Sequence, residues 1–445
     1  MERLFGTDGI RASAGRFPLD YPTVSRLGKH LIMLLRDEGL STNVLIGRDT
    51  RESGIWLEQA LMRGIKEAGG KAVSAGLIPT SAVSFLTKKH GFSAGIVISA
   101  SHNPYGDNGI KIFSRSGMKV SEEWERAIEK GLYRPDGSVE PLEVKIEPDA
   151  SLVRDYTNFL KSRFDQSGNF KRIKIVLDCS NGAGSFFAPQ IFADLGFEVK
   201  AMGVSPNGRN INAGCGSLHP EKLAEAVVAT KADIGIAYDG DADRALCVDE
   251  RGKILNGDHT LYVIAKYMKD KGRLKSKTVV ATTMSNMGLE KGMEKIGLSL
   301  SRTQVGDKYV LEQMIKIKSN LGGEQSGHTI FLDDCPTGDG ILTSIKMLEA
   351  MTARRSSLAE LVRDYREYPQ VLKNVAVSRK EDFGKYPEIL KAVEQVEQKL
   401  GLSGRMNVRY SGTEPLVRIM IEGEDRALIE NHADHIAEVI AKHLA

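Results

Sequence analysis

Three times along this chain a short apolar run, an amphipathic stretch, a second run and a second amphipathic stretch lead into a third run that stops at a polar cluster. The first pass starts at NVLIG (43–47), closes its first helix at Gly69 and Gly70, and resumes as a strand over 71–75. Pro79 and Thr80 open a helix ending near Gly91, and IVIS (96–99) then runs into SASHNP. The second pass takes IKIVLD (173–178), a helix ending at Gly196, a strand over 197–202, a helix near 220–230 and IGIAY (234–238), then DGDADR. The third takes KTVVAT (277–282), a helix ending near Gly297, SLSRT and a helix over 308–317, then GEQSGH. Glycine at a helix end supplies the left-handed residue that stops it. Runs and helices alternating in this way predict β-α-β units of about 100 residues.

Each polar cluster follows a third strand, where open α/β sheets place their ligand loops. Three such placements point to a shared cleft. After residue 370 the order changes: VLKNVAVS (371–378) reads as a strand, 386–400 as an amphipathic helix, 406–410 and 416–422 as strands, and 426–443 as a helix. The fold class expected is therefore α/β, with three consecutive related α/β domains followed by a smaller α+β C-terminal domain around a central cleft. Expected boundaries give domains at 1–152, 153–253, 254–368 and 369–445. A chain of 445 residues needs such a split, because single cores stop growing beyond roughly 250–300 residues.

Charge adds little: 61 Lys and Arg against 58 Asp and Glu leave a net +3, with no basic, aromatic-interleaved stretch for nucleic acid. Cys179, Cys215, Cys247 and Cys335 are far apart and read as reduced structural thiols. The opening MERLFGTDGIRAS has no secretory pattern, and no run approaches the roughly 18 apolar residues of a membrane span. A cytoplasmic protein without membrane or nucleic-acid partners is expected.

Four clusters carry chemistry. In SASHNP, Pro104 keeps Asn103 extended, so the segment is a loop. A serine there can carry a phosphoryl group, with His102 donating to a phosphate oxygen and Lys111 supplying a cation; Ser101 is favoured and Ser99 is a competing hydroxyl. In DGDADR, Asp239, Asp241 and Asp243 alternate so that their carboxylates can face one way as hard oxygen ligands. Glu250 falls at the twelfth position of a calcium loop counted from Asp239, but the sixth is Arg244 instead of glycine, and ALCVDERGKIL reads as strand, turn, strand. Magnesium suits the site better. In GEQSGH, Glu324 and Ser326 can accept from and donate to sugar hydroxyls, while His328 can move a proton or hydrogen-bond the sugar. Upstream, Gly306 and Asp307 can help bind the ligand, or Asp307 can cap the next helix. In RYSGTEP, two hydroxyls and loop amides, with Arg409 and Arg418 on adjoining strands, make a metal-free dianion site. The NGAG segment at 181–184 fits no nucleotide-loop pattern and reads as a turn.

Taken together, GTDGIR (6–11), SASHNP (99–104), DGDADR (239–244), GEQSGH (323–328) and RYSGTEP (409–415) resemble the alpha-D-phosphohexomutase superfamily over essentially the whole chain. The wording of SASHNPYGDNGIKIF and RYSGTEPLVRIMIEG is similar to its bacterial amino-sugar members. The resemblance implies four domains around a cleft, with covalent phosphate on Ser101. It implies Mg2+ held by Asp239, Asp241, Asp243 and an oxygen of that phosphoserine. It also implies a sugar-binding pair at Glu324 and Ser326, and a phosphate loop at Ser411, Gly412, Thr413 and Arg418. Arg11, Lys111 and Arg244 become active-site cations, and His102 and His328 polar positions whose proton-transfer duties stay open. The implied reaction interconverts glucosamine 6-phosphate and glucosamine 1-phosphate, with glucosamine 1,6-bisphosphate as intermediate and activator. Glucose or mannose phosphates are the alternative substrates, and a non-enzymatic phosphosugar sensor is the alternative class. Monomer and homodimer are both open.

Overall fold

Ala94–Ile98 and Ile234–Tyr238 are buried at every position, as strands covered on both faces require. In the computed structural model, which describes residues 3–133, 144–165, 173–411 and 415–445, these runs sit inside three sheets built on one plan. In the first, the order Asp107–Ser114, Ala94–Ile98, Asn43–Arg48, Lys71–Leu77 pairs three parallel strands with an antiparallel fourth. The second repeats it with Ala245–Asp249, Ile234–Tyr238, Lys174–Asp178 and Glu198–Met202. The third does so with Thr329–Phe331, Leu321–Gly323, Thr278–Thr282 and Ser299–Thr303. In all three, the polar cluster is the connection between the third strand and the antiparallel fourth. The repeat seen as element order is thus a repeat of topology.

Local signals set the helix ends. Asp20 caps Tyr21–Asp37 by accepting from the Thr23 amide at 2.9 Å, and Thr80–His90 ends at Gly91 in the left-handed region, φ 69°. The 181–184 segment begins as a turn, with Ser180 and Asn181 at φ 52° and 50°, and continues into a 3-10 turn over Ala183–Phe186. No described helix is long and apolar enough to cross a membrane. All four cysteines are buried free thiols.

The residues fall into two compact units, Met1–Met284 with Leu298–Arg363, and Ser285–Gly297 with Asp364–Ala445. The second is an antiparallel sheet in the order Gln370–Ala376, Leu416–Gly423, Gly404–Tyr410. Val417, Ile419 and Ile421 alternate onto its buried face, against Ile389 and Val396 of Pro387–Leu400 and Ile429, Ile436 and Ile440 of Arg426–Leu444. The helix Met287–Lys295, which the element order counts within the third repeat, groups with this unit. The reason is polar: fully buried Glu422 accepts from the Met287 amide at 2.9 Å and from Arg405 Nε at 2.5 Å. The Asn286 side chain brackets both backbone groups of Tyr368, at 3.0 and 2.9 Å.

Candidate active site

The Ala94–Ile98 strand ends in a loop whose backbone is gripped from below. Arg51, fully buried, donates from Nη2 to the carbonyls of Ser101 (3.0 Å) and Asn103 (2.8 Å) and from Nη1 to those of Pro104 and Asp107. Its Nε donates to Asp49 at 2.9 Å. Asn212 Nδ2 reaches the Ser101 and Asn103 carbonyls as well, at 2.9 and 3.1 Å. Ser99 is committed to this support, because its hydroxyl donates to Asp49 (2.6 Å) and accepts from the Ser101 amide (2.9 Å). Of the two hydroxyls, Ser101 is the one aimed at the acidic cluster. Ser101 adopts φ 51°, a conformation costing a non-glycine residue about 1–3 kcal/mol, and the surrounding bonds offset it.

Ser101 Oγ donates to Asp239 Oδ2 at 2.5 Å, and His102 Nδ1 lies 3.4 Å from Ser101 Oγ. Close approach here needs Gly240, where an added Cβ would lie 2.6 Å from the Ser101 carbonyl oxygen. Asp239, Asp241 and Asp243 are all buried, with carboxylate oxygens within 4.8 Å of one another. Thr80 Oγ1 donates to Asp241 at 2.6 Å, and Lys111 Nζ lies 2.9 Å from Asp241, 3.3 Å from Asp243 and 3.0 Å from Asp8. Burial, then Asp243 and Asp241, push the Asp239 carboxyl well above the usual range. Burial opposes charge on Asp241 too, but Lys111 and Thr80 hold it below that range. Burial likewise opposes the Lys111 ammonium, and Asp241, Asp8 and Asp243 keep it charged.

This arrangement fits a metal ion. Asp241 Oδ1 and Asp243 Oδ1 are buried and accept no hydrogen bond, leaving hard oxygen donors turned toward one another. Burial and the two neighbouring carboxylates disfavour charge on Asp239, and a divalent cation would offset that.

Above the trio lies a cleft of about 450 Å³ within the first unit. Arg11, His102, Asp243 and Arg244 line one part of it, and Gly306, Asp307, Glu324 and His328 another. Ser101, Lys111, Asp239 and Asp241 are tied to these residues through the contacts above. Ser326 is exposed and is not among the lining residues. Burial, then Arg244 and Arg11, lower the His102 imidazole to about 4, so without a bound anion it is neutral at pH 7. Glu324 accepts from the Gly306 amide at 3.2 Å, and His328 Nε2 accepts from the Gly338 amide at 3.2 Å. Asp307 does not cap the helix Asp307–Lys316; its carboxylate accepts from Lys119 Nζ at 2.7 Å.

In the second unit Arg409 and Arg418 are cross-strand partners, which puts their side chains on one face of the sheet. The Ser411 carbonyl accepts from Lys380 Nζ at 2.7 Å. Gly412 and Thr413 lie outside the described residues. Sequence reasoning passed over Asp49, Arg51, Thr80 and Asn212, which hold the loops, Asp8, which lines the cleft, and Lys119, which bridges Asp8 and Asp307. Asp8 stood in plain view inside GTDGIR. Lys119 gave no signal, since only the bridge between Phe113 and Lys119 brings it back beside the site.

Family models match nearly all of the chain. The Phosphoglucomutase/phosphomannomutase alpha/beta/alpha domains I, II and III match residues 2–136, 154–252 and 256–368, and the C-terminal domain matches 372–439. The chain belongs to the phosphoglucomutase/phosphomannomutase family. Among relatives in this family, a phosphoglucosamine mutase of Koribacter versatilis is 48% identical over 449 residues, covering 99% of this chain and 97% of the relative. A phosphoglucomutase/phosphomannomutase family protein from Burkholderia thailandensis has the same fold, with TM-score 0.81 and 23% identity over 99% of this chain and 98% of that one. So does Aspergillus fumigatus N-acetylphosphoglucosamine mutase, solved in complex with GlcNAc-6P and magnesium, with TM-score 0.67 and 18% identity over 99% and 96% of the two chains. The family assignment and the expected α/β architecture agree.

Proposed function

We propose that this chain is an isomerase that interconverts glucosamine 6-phosphate and glucosamine 1-phosphate by passing a phosphoryl group through Ser101. One observation carries the reading: the Ser101 hydroxyl is held 2.5 Å from a carboxylate of a buried acidic trio. Full-length similarity to phosphoglucosamine mutases supports the choice of sugar.

In the first half-reaction the sugar O1 attacks phosphorus of phosphorylated Ser101. The P–O1 bond forms as the P–Oγ bond breaks, O1 loses a proton, and Oγ ends protonated. This yields glucosamine 1,6-bisphosphate, which turns end for end. In the second half-reaction Ser101 Oγ attacks the 6-phosphoryl phosphorus; the P–Oγ bond forms as the P–O6 bond breaks, Oγ loses a proton, O6 gains one, and the 1-phosphate is left. Both ends of the intermediate present the same dianion, so one phosphate-binding set serves each half.

Asp239, Asp241, Asp243 and a phosphoserine oxygen would hold Mg2+, whose chemistry here is to neutralise charge on the transferring group. The chain's own cations complete that task. Lys111 is locked among Asp8, Asp241 and Asp243, so it meets developing charge without reorganising. Arg244 and Arg11 flank His102 in the cleft, where a phosphoryl group brings about −1.5 to −2 charge. Glu324, Ser326 and His328 are assigned to the sugar hydroxyls, with Gly306 and Asp307 beside them. Arg409, Ser411, Gly412, Thr413 and Arg418 are assigned to the non-reacting phosphate. The buried, reduced cysteines suit a cytoplasmic setting.

Intact mass before and after treatment with glucose or glucosamine 1,6-bisphosphate tests this directly. The chain should gain about 80 Da at Ser101, and Ser101→Ala should gain nothing and lose turnover. A turnover-competent Ser101→Ala protein rejects the mechanism.

A further inference from the structure

Beyond the acidic trio, one carboxylate in the cleft rests on a single lysine that it shares with another. Lys119 Nζ is shared between Asp8 (2.6 Å) and Asp307 (2.7 Å). Asp8 has other cations, Lys111 at 3.0 Å and Arg11. Asp307 has no second lysine or arginine partner among the described residues. Its neighbour Lys308 turns its ammonium to Glu122 at 2.8 Å and gives Asp307 only its backbone N–H at 2.9 Å. The nearest remaining titratable group is His328 Nε2, 3.8 Å away, which already accepts from the Gly338 amide. Burial opposes charge on Asp307, but Lys119 holds its carboxyl below the ordinary range.

The location matters as much as the charge. Asp307 follows Gly306, whose amide is hydrogen-bonded to Glu324, so Asp307 is held next to the carboxylate assigned to the sugar hydroxyls. Lys119 pins it from the outer side. Gly306 adopts φ 132°, which a side chain would resist, so the backbone geometry that sets this placement is specific to glycine. An amino sugar differs from glucose or mannose in bearing an ammonium at C2, a second cation beside the shared lysine for such a carboxylate.

We infer that Asp307, positioned by Lys119, is the specificity determinant that reads the C2 ammonium of the substrate. The inference rests on the glucosamine reading above and adds the residue that makes the choice. A neutral C2 hydroxyl can donate a hydrogen bond to the same carboxylate but brings no positive charge to the pair. Discrimination therefore depends on the charge of the substrate amine, which titrates near the roughly 8 of an α-amino group. Below that value the ammonium is present and preference is full; above it the preference fades.

The test is the ratio of kcat/KM for glucosamine 6-phosphate to that for glucose 6-phosphate, measured from pH 6.5 to 9 on the full chain primed with bisphosphate. Differences in Ser101 phosphorylation act on both substrates and cancel in the ratio. The wild-type ratio should favour the amino sugar and fall as pH rises. Asp307→Asn should lower it at least tenfold at pH 6.5 and flatten its pH dependence, while Asp307→Glu should retain a larger share. A wild-type ratio that favours the amino sugar but is flat with pH, or an Asp307→Asn ratio within twofold of wild type, overturns the inference and leaves the Ser101 mechanism standing. A wild type that prefers glucose 6-phosphate overturns the substrate reading, and this inference with it.

Discussion

Replacing Arg51 with alanine should both destabilise the first unit and slow the enzyme without touching a reacting atom. Arg51 and Asp49 form an ion pair with no solvent exposure on either side chain, at 2.9 Å. Breaking such a pair costs about 3–5 kcal/mol, because the remaining charge is buried alone. Some of the loss is relieved: Asn212 still donates to the Ser101 and Asn103 carbonyls, and Ser99 still donates to Asp49. A deficit of about 4 kcal/mol is therefore expected in urea denaturation near pH 8. Burial already raises the Asp49 carboxyl above its ordinary value, with Arg51 opposing the rise. Without Arg51 that rise is larger, so the folded state binds more protons than the unfolded state at mildly acidic pH. Stability relative to wild type then falls as pH rises, and the deficit should be smaller at pH 5 than at pH 8. Because Ser101 would be held at φ 51° by fewer bonds, kcat should drop at least tenfold, more than KM rises. Arg51→Lys should restore part of the stability, since the charge returns without the fork. A deficit under about 1 kcal/mol that ignores pH would refute this reasoning.

Two further outcomes follow from buried carboxylates. Because burial and its neighbours raise the Asp239 carboxyl without a cation, Mg2+ binding should be coupled to proton release, and apparent affinity should fall as pH is lowered; calorimetry in buffers of different ionisation enthalpy checks both. Glu422→Gln removes the charge facing Arg405 and weakens the acceptor for the Met287 amide, so amide exchange over 285–297 and 404–423 should speed, reflecting a loss of about 3 kcal/mol.

Much of the architecture is legible because parallel strands buried on both faces must be written as apolar runs. NVLIG, IVIS and IGIAY are unmistakable for that reason. The acidic trio is legible through its spacing, and the three connections through their shared place after a third strand. What could not be read is long-range polar bonding. Nothing near Arg51 in sequence says that it will bind carbonyls 50 to 56 positions away. The attachment of Met287–Lys295 to the C-terminal strands depends on Glu422, 135 residues from Met287. Pattern and resemblance favour Ser101 over Ser99, and the physical difference lies in their partners, Asp239 and Asp49. Lys119 sits in an ordinary SGMKVS stretch, and its meaning comes from two carboxylates 111 and 188 positions distant.

The most direct test of the central claim is a single-turnover chase. Protein carrying labelled phosphate is mixed, in Mg2+ and without free bisphosphate, with excess unlabelled glucosamine 6-phosphate. Label should leave Ser101 and appear first in the hexosamine bisphosphate, at a rate no slower than kcat. Label that appears first as inorganic phosphate, or that proves to have resided on another residue, would contradict it.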